Sequence, residues 1–211
     1  MNIINFEKFE FNSTKNVMDN FRLIIQGPSA CGKSVLIKKI LWDTRGTFDD
    51  IFLICPTMFQ PLWEKQVKIP DDHKSDKATN EQFKKFYKMV EENHKNKKRS
   101  LIICDDVLYT DLTKDRSALT EVFTRIRHQN CSIIVVGQLY KGLPPVLRSN
   151  ATHIAVFKNP SKDEEKKMQT ELGDAFIEMY DDVCNKPYAF VWANLTKNEM
   201  TGERYGDKVD F

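Results

Sequence analysis

The chain has 211 residues, of which 41% are hydrophobic and 29% are charged, and its 32 basic and 30 acidic side chains leave a formal net charge of +2. This length favours one compact domain with a core large enough for independent stability. The composition excludes a disordered chain, and the small net charge argues against a protein that coats nucleic acid through bulk charge. No apolar run approaches the roughly 20 residues of a membrane-spanning helix.

The N-terminal sequence MNIINFEKFEF carries acidic residues early and lacks the basic start and apolar middle of a signal peptide. We therefore expect a protein that remains in the cytosolic compartment, is not secreted and has no membrane partner. The five cysteines never occur as CxxC, so neither a disulfide framework nor a zinc site is indicated.

Short apolar runs alternate with amphipathic stretches, which predicts a mostly parallel sheet with helices on its faces. The predicted strands are nearly continuous in apolarity, as in strands buried on both sides, and span residues 21–26, 51–55, 101–105, 132–138, 153–157 and 188–195. The predicted helices span residues 33–42, 81–94, 116–128 and 161–179. We expect a single domain over residues 1–211, in which the polar, lysine-rich segment 67–100 is an insertion.

The first predicted strand leads into GPSACGKS, which satisfies the pattern GxxxxGK[ST] between a strand and a helix. In such a phosphate-binding loop, glycines let backbone N–H groups surround phosphate oxygens, and the following helix contributes its positive N-terminal end. Lys33 is predicted to reach the β- and γ-phosphates of ATP, and the Ser34 hydroxyl to ligate Mg²⁺. The residues predicted to bind the nucleotide are Gly27, Pro28, Ser29, Ala30, Cys31, Gly32, Lys33, Ser34 and Val35.

The third predicted strand, LIICDD, ends in two adjacent carboxylates. Acids that end a buried strand are costly unless they bind something, and a Mg²⁺ ion held by the phosphate-binding loop is a suitable partner. We predict that Asp105 holds the metal, directly or through water. Asp106 would then activate the water that attacks the γ-phosphate. The alternative is that both acids only cap the following turn.

The fourth predicted strand, SIIVVGQ, ends in Gln138. The carboxyl ends of parallel strands meet at one edge of a sheet, where ligands bind. Gln138 would therefore lie beside Ser34 and the two acids if this strand neighbours the first one. Its amide is predicted to sense the γ-phosphate or the attacking water, and the alternative is a hydrogen bond to a nearby loop.

Three arginines are candidates for the guanidinium that neutralises charge developing during nucleotide hydrolysis. Arg127 falls at the end of the third predicted helix, near the sheet edge opposite the phosphate-binding loop. We therefore expect it to act in the site of a neighbouring subunit. Arg125 and Arg148 are rivals for this role, and each arginine could instead interact with the dipole of its own helix.

The segments GPSACGKS, LIICDD and RHQNCSIIVVGQ, in this order, resemble the genome-packaging ATPases of poxviruses and other large DNA viruses, within the FtsK-HerA superfamily of P-loop NTPases. The resemblance covers roughly residues 20–160. It implies a three-layer α/β/α fold of the RecA/FtsK-HerA (ASCE) type, with one strand between the phosphate-loop strand and the Asp105 strand. In one departure from the wider superfamily, Asp106 replaces the usual, longer catalytic glutamate.

The same resemblance implies the partners and the cellular setting. They are double-stranded DNA, other copies of the chain in a pentameric or hexameric ring, and a viral capsid at its portal vertex. The setting would be a viral factory in the host cytoplasm, or the virion itself.

Other functions remain as alternatives. The main one is a HerA-like helicase or translocase in replication or recombination. A nucleotide or small-molecule kinase is disfavoured because an arginine-rich lid is not evident, and a GTPase because NKPY stops short of the NKxD base-recognition motif. An ABC-type ATPase would need an LSGGQ-like segment, and a non-enzymatic scaffold would use the nucleotide only as a lock.

The net charge of +2 conceals two opposed segments. Residues 84–99 hold seven basic side chains against two acidic ones, a local charge of +5, whereas residues 162–182 hold three against eight, a local charge of −5. This asymmetry suits a subunit with one face for DNA and another for neighbours or capsid. A motor grips DNA phosphates with basic loops, so the candidate pore segments are residues 95–99 and 140–148, although the first could be a solvated helix end.

Overall fold

A nine-stranded sheet organises the part of the chain that this computed structural model describes, residues 2–3 and 20–204. The predicted domain of residues 1–211 therefore extends beyond the described residues. The strand order is β1-β9-β8-β7-β2-β6-β5-β3-β4. The strands are β1 (Asn2–Ile3), β2 (Arg22–Gln26), β3 (Asp50–Ile54), β4 (Lys74–Ser75), β5 (Ser100–Cys104), β6 (Cys131–Gly137), β7 (His153–Phe157), β8 (Ala189–Asn194) and β9 (Glu199–Arg204).

Helices cover both faces of the sheet, as the predicted three-layer α/β/α class requires. They are α1 (Lys33–Asp43), α2 (Asn80–Lys95), α3 (Ala118–Phe123), α4 (Pro145–Asn150), α5 (Lys162–Leu172) and α6 (Asp174–Val183). Helix α1 and a π-helical turn at Leu62–Gln66 pack on one face, and α2 to α6 supply buried residues to the other. The fold class is thus confirmed. Within the described residues, none of the helices has both the length and the apolar character needed to cross a bilayer.

The three central strands β2, β6 and β5 are parallel and fully in register. Ile134 of β6 pairs with Leu23 on one side and with Ile103 on the other, and all three side chains are buried. β6 therefore lies between the phosphate-loop strand and the Asp105 strand, which confirms the order implied by the family resemblance. Because the strands are in register, their carboxyl ends coincide at one edge of the sheet.

Some predicted elements are wrong in extent. The helix predicted at 116–128 ends at Phe123, and a separate 3₁₀ turn at Ile126–Gln129 follows, because the backbone N–H groups of Arg125 and His128 bond to carbonyls only three residues back. The helix predicted at 161–179 is divided into α5 and α6 by Gly173, whose φ of 91° is incompatible with a continuous helix.

The last predicted strand and the polar insertion gain neighbours that the sequence did not indicate. β8 runs antiparallel to β7 and pairs with β9, which lies outside all the predicted strands. Within segment 67–100, β4 extends the sheet beyond β3, and α2 buries Phe83, Phe86 and Val90 in the same core as α3. The apolar face of α2 thus makes this polar segment part of the core.

An ion pair between a buried arginine and a partly exposed glutamate ties α4 to α5. The Arg148 guanidinium, on a residue only 6% exposed, donates to both carboxylate oxygens of Glu171 at 2.8 and 3.0 Å, and it also donates to the Leu143 carbonyl. Burial alone would raise the pKa of Glu171, but hydrogen bonds from Arg148, Lys167 and Tyr140 outweigh it and lower the pKa to about 2.

Replacing Arg148 by Met should lower the free energy of unfolding by about 1 kcal/mol, because it removes the main partner of Glu171 while retaining apolar volume, and the Glu171 carboxylate stays partly hydrated and paired with Lys167. The folded-state pKa of Glu171 lies below its ordinary value of 4.5, so this stabilisation is complete above that pH and is lost as the pH falls towards 2. Urea unfolding of wild type and Arg148→Met should therefore differ most near neutral pH. A difference that does not shrink in acid would contradict this account.

Candidate active site

The phosphate-binding loop lies at the carboxyl end of β2, between that strand and α1. Gly32 is the N-cap of α1 with φ of 110°, and its carbonyl accepts the first helical bond from the Leu36 N–H at 3.0 Å. No side chain in the described part of the chain caps this helix end. The N–H groups of its first turn are therefore available to an anion, and the helix dipole favours negative charge there.

Gly27 is needed for close packing. A Cβ atom at this position would lie 2.6 Å from the Cys31 Sγ and 2.7 Å from the Phe157 Cβ, so only glycine lets the loop fold down onto β7. The Lys33 ammonium lies over the same loop and donates to the carbonyls of Gly27 and Pro28, both at 2.7 Å. The loop thus holds its lysine at the place where phosphate would bind.

Asp105 is almost fully buried, at 5% exposure, directly after β5. One of its carboxylate oxygens, Oδ2, accepts a hydrogen bond of 2.8 Å from the Trp63 indole N–H and a long contact of 3.8 Å from the Cys55 thiol. Burial raises the pKa of the Asp105 carboxyl, and the bond from Trp63 opposes this by stabilising the charged form. Trp63 therefore fixes the orientation of the carboxylate and leaves Oδ1 for another partner.

Asp106 adopts a left-handed backbone conformation with φ of 54°, which Asp tolerates better than most residues. The Gln138 amide donates to its Oδ1 at 3.2 Å, and the Thr57 hydroxyl donates to its Oδ2 at 3.4 Å. The Gln60 amide in turn donates to the Thr57 oxygen at 2.6 Å. The Asp106 side chain is thus oriented by residues from two neighbouring strand ends.

The backbone beside Gln138 is itself held by two amides. The Gln138 carbonyl accepts hydrogen bonds from the side chain of Gln26 at 3.1 Å and from that of Asn159 at 3.4 Å. These two residues come from the ends of β2 and β7. Three adjacent strand ends are therefore linked through one carbonyl group.

The phosphate-binding loop, the two acids and Gln138 line one cavity of about 260 Å³ at the carboxyl edge of the sheet. Its walls are formed by Ser29, Ala30, Lys33, Ser34, Gln60, Asp105, Asp106, Val136, Gly137 and Gln138. The structure therefore brings the loop, both acids and the glutamine together around a single space.

Sequence reasoning missed the segment after β3, which contributes Thr57, Gln60 and Trp63. A signal for Thr57 existed, because it follows the carboxyl end of a predicted parallel strand, where ligand-binding residues collect. Trp63 had no such signal. Its contact with Asp105 spans 42 residues and depends on the π-helical turn at Leu62–Gln66, which apolar periodicity does not reveal.

The three candidate arginines lie in different places. Arg127 is exposed in the turn that precedes β6, at the amino edge of the sheet, where its carbonyl accepts a 3.0 Å bond from the Asn20 amide. Arg125 is exposed at the same edge. Arg148 is instead buried against Glu171, so its guanidinium is already committed within its own subunit.

The two candidate pore segments lie at opposite edges of the sheet. Residues 95–99 precede β5 at the amino edge, near Arg127, and the side chains of Lys95, Lys97 and Lys98 are exposed. Residues 140–148 follow β6 at the carboxyl edge, and much of this loop is packed into the core through Tyr140 and Leu147. Only the first segment is an open basic surface.

The fold and this cavity define the class of protein, a P-loop NTPase. The strand-loop-helix unit carries the phosphate-binding motif, and the neighbouring in-register strands supply the acids and the glutamine. The chain matches the model of the family described as poxvirus A32 protein over residues 7–173, and it belongs to that family.

Individual relatives agree with this assignment. The chain is 26% identical over 174 residues to the DNA packaging protein OPG160 of vaccinia virus (strain Copenhagen), which covers 78% of this chain and 63% of the relative. It thus spans less than two thirds of the length of the curated relatives it matches.

Two solved structures have the same fold. The DNA-packaging ATPase B204 of Sulfolobus turreted icosahedral virus superposes with a TM-score of 0.71 at 18% identity, over 89% of this chain and 98% of that one. The genome packaging NTPase B204 of Sulfolobus turreted icosahedral virus 2, in complex with AMPPCP, gives a TM-score of 0.75 at 16% identity, over 90% and 100%.

Proposed function

We propose that this chain is the ATP-hydrolysing motor of viral genome packaging, which acts as a ring and moves double-stranded DNA into a capsid. The observation that carries the proposal is the cavity in which Lys33, Ser34, Asp105, Asp106 and Gln138 converge. Family membership and the printed names of the relatives, a DNA packaging protein and genome-packaging NTPases, support the coupling of this site to DNA.

Binding of the triphosphate would use the loop amides and Lys33. The ammonium already lies over the loop, so a small movement away from the Gly27 and Pro28 carbonyls lets it pair with the β- and γ-phosphate oxygens. This exchange replaces two neutral acceptors with charged ones, which form stronger hydrogen bonds.

The donor set fits Mg²⁺. Ser34 and Asp105 offer oxygen atoms on the wall of one cavity, and the described residues contain no cluster of three or more His, Cys, Asp or Glu able to hold a metal by themselves. Mg²⁺ characteristically takes few protein ligands and completes its shell with phosphate and water. When bound, the ion would neutralise charge on the β- and γ-phosphate oxygens.

Hydrolysis then requires a positioned water. Asp106 would accept the water's proton as its oxygen attacks the γ-phosphorus, while the bond to the β–γ bridging oxygen breaks to give ADP and phosphate. The bonds from Gln138 and Thr57 hold the short Asp106 side chain in one direction, so its carboxylate is oriented before the water binds.

Arg127 would complete the site of a neighbouring subunit. The seven residues of β6 separate the amino edge from the carboxyl edge, a distance of about 20 Å at roughly 3.3 Å per residue. An arginine side chain is much shorter than this, so Arg127 cannot reach the cavity of its own subunit. A ring in which the amino edge of one subunit approaches the cavity of the next satisfies this geometry.

The basic segment 95–99 at the same edge is the proposed DNA contact. The side chains of Lys95 and Lys97, at and just after the end of α2, are exposed and can pair with phosphates without reading bases, and Lys98 is exposed beside Asp50, 3.7 Å away. Such a contact is independent of sequence and sensitive to salt, as a translocating motor requires.

Lys33→Ala and Asp105→Ala should each reduce ATP hydrolysis at least about 100-fold, because one removes the phosphate charge partner and the other a metal ligand. Wild-type turnover should rise with double-stranded DNA and with protein concentration, since a ring completes the site. Phosphate release is the measurement, and Lys166→Ala, on an exposed face of α5, is the control. Wild-type turnover in either variant would refute the site, and DNA-independent turnover by a monomer would refute the motor.

Trp63→Phe should lower kcat by about tenfold and raise the Mg²⁺ concentration needed for half-maximal activity, with little change in KM for the nucleotide at saturating Mg²⁺. The substitution keeps an aromatic ring but removes the N–H that orients Asp105, and such outer contacts typically affect metal binding 10- to 100-fold. Mg²⁺ titrations of steady-state rates measure this. Trp192→Phe, another buried indole, is the matched control, and an unchanged Mg²⁺ requirement in Trp63→Phe would argue for a purely structural role.

Mixing Arg127→Ala with Lys33→Ala should restore part of the ATPase activity that each variant lacks alone. In a mixed ring, some interfaces combine an intact Arg127 from one subunit with an intact loop from its neighbour. The rate is measured across mixing ratios, with Arg125→Ala in place of Arg127→Ala as the comparison. Failure to recover activity at any ratio would remove Arg127 from the neighbouring site.

A further inference from the structure

A second cavity of about 370 Å³ lies on the other side of the phosphate-binding loop. The first cavity is bounded by the ends of β6 and β5, whereas this one is bounded by the end of β7 and by the α6–β8 connection. β7 and β6 flank β2 on opposite sides, and Ala30 of the loop lines both cavities. The loop therefore lies between two neighbouring cavities.

Tyr188 forms a solvent-exposed part of the wall of the second cavity. It is 60% exposed, and its ring lies against the loop, since a Cβ built on Gly32 would be 3.6 Å from the Tyr188 Cδ1. Its backbone has φ of 59°, which is rare for a bulky side chain. Such strained residues persist where the surrounding structure fixes them, and they cluster at ligand sites.

The path of a bound nucleotide connects the two cavities. The γ-phosphate end belongs at Asp105, Asp106 and Gln138, which lie on the β6 and β5 side of the loop. The other end of the molecule must then leave the loop in the opposite direction, across Ala30 and towards β7. We propose that the second cavity binds the base of the nucleotide and that the Tyr188 ring is its stacking platform. This inference rests on the proposed nucleotide-binding function.

The chemistry of the walls indicates how the base is recognised. The residues that line the cavity are Ala30, Cys31, Phe157, Lys158, Cys184, Asn185, Lys186, Pro187, Tyr188 and Ala189. None of them carries a carboxylate, and the amide of Asn185 offers both a donor and an acceptor, so it suits either purine. The Lys158 ammonium is paired with Asp181 at 3.2 Å and with Glu165 at 3.6 Å. Stacking on an aromatic ring tolerates any base. The site should therefore accept ATP and GTP with similar affinity.

The test compares binding of Mg-ATP and of Mg-inorganic triphosphate to the full chain by calorimetry. Tyr188→Ala should weaken ATP binding roughly 10- to 100-fold, the range expected for loss of base stacking, and should leave triphosphate binding unchanged. Tyr188→Phe keeps the ring and should bind ATP within about twofold of wild type. Tyr109→Ala is the matched control, because Tyr109 is also an exposed tyrosine, at 81%, with a left-handed φ of 62°.

Three results would overturn the inference. Equal weakening of ATP and triphosphate would make Tyr188 a support for the loop, and unchanged ATP binding would place the base elsewhere. A preference of more than about 100-fold between ATP and GTP would contradict recognition by stacking. If Lys33-dependent hydrolysis stays normal alongside any of these results, the proposed function is unaffected. Wild-type protein that binds neither Mg-ATP nor Mg-triphosphate would refute both this inference and the proposed function.

Discussion

The in-register parallel pairing of β2, β6 and β5 is the constraint on which the site depends. Because Ile134 pairs with Leu23 and Ile103 in the same row, the loop after β2, Gln138 after β6 and the acids after β5 emerge at one level. A one-residue slip would reverse which face each side chain occupies, and the core on both faces opposes such a slip. Core packing on both faces of the sheet therefore fixes the relative heights of the strand ends that form the site.

Several residues at that edge have left-handed backbone conformations. Ala30 in the loop, Asp106 beside Asp105 and Tyr188 in the second cavity all have φ near 60°, and Gly32 has φ of 110°. These conformations are costly for residues other than glycine, so the rigid strand ends must hold them in place. The hydrogen bonds from Gln26 and Asn159 to the Gln138 carbonyl perform the same task for the chain after β6. The site is therefore preorganised at its backbone, which lowers the cost of fixing phosphate and water.

The sequence allowed prediction of those parts of the site that follow from local order and from the rule for parallel strands. The loop motif lies within one strand-loop-helix unit, and the acids and Gln138 each end a continuous apolar run. What could not be predicted depends on distant contacts or on single backbone conformations. Trp63 contacts Asp105 because a π-helical turn places it there. Gly173 divides one predicted helix into two. The buried Arg148 pairs with Glu171, which lies 23 residues further along the chain.

The acidic and basic segments of the chain have different environments in the structure. Four of the eight acids of segment 162–182 make contacts that join separate elements of the subunit: Glu164 accepts the N–H groups of Tyr140 and Lys141, Glu171 binds Arg148, and Glu165 and Asp181 both pair with Lys158. They anchor the loop that follows β6 and the strand end that borders the second cavity. By contrast, the side chains of Lys95, Lys97 and Lys98 in segment 95–99 are exposed. The small net charge therefore combines an acidic region that stabilises the carboxyl edge of the sheet with a basic region that is exposed at the opposite edge.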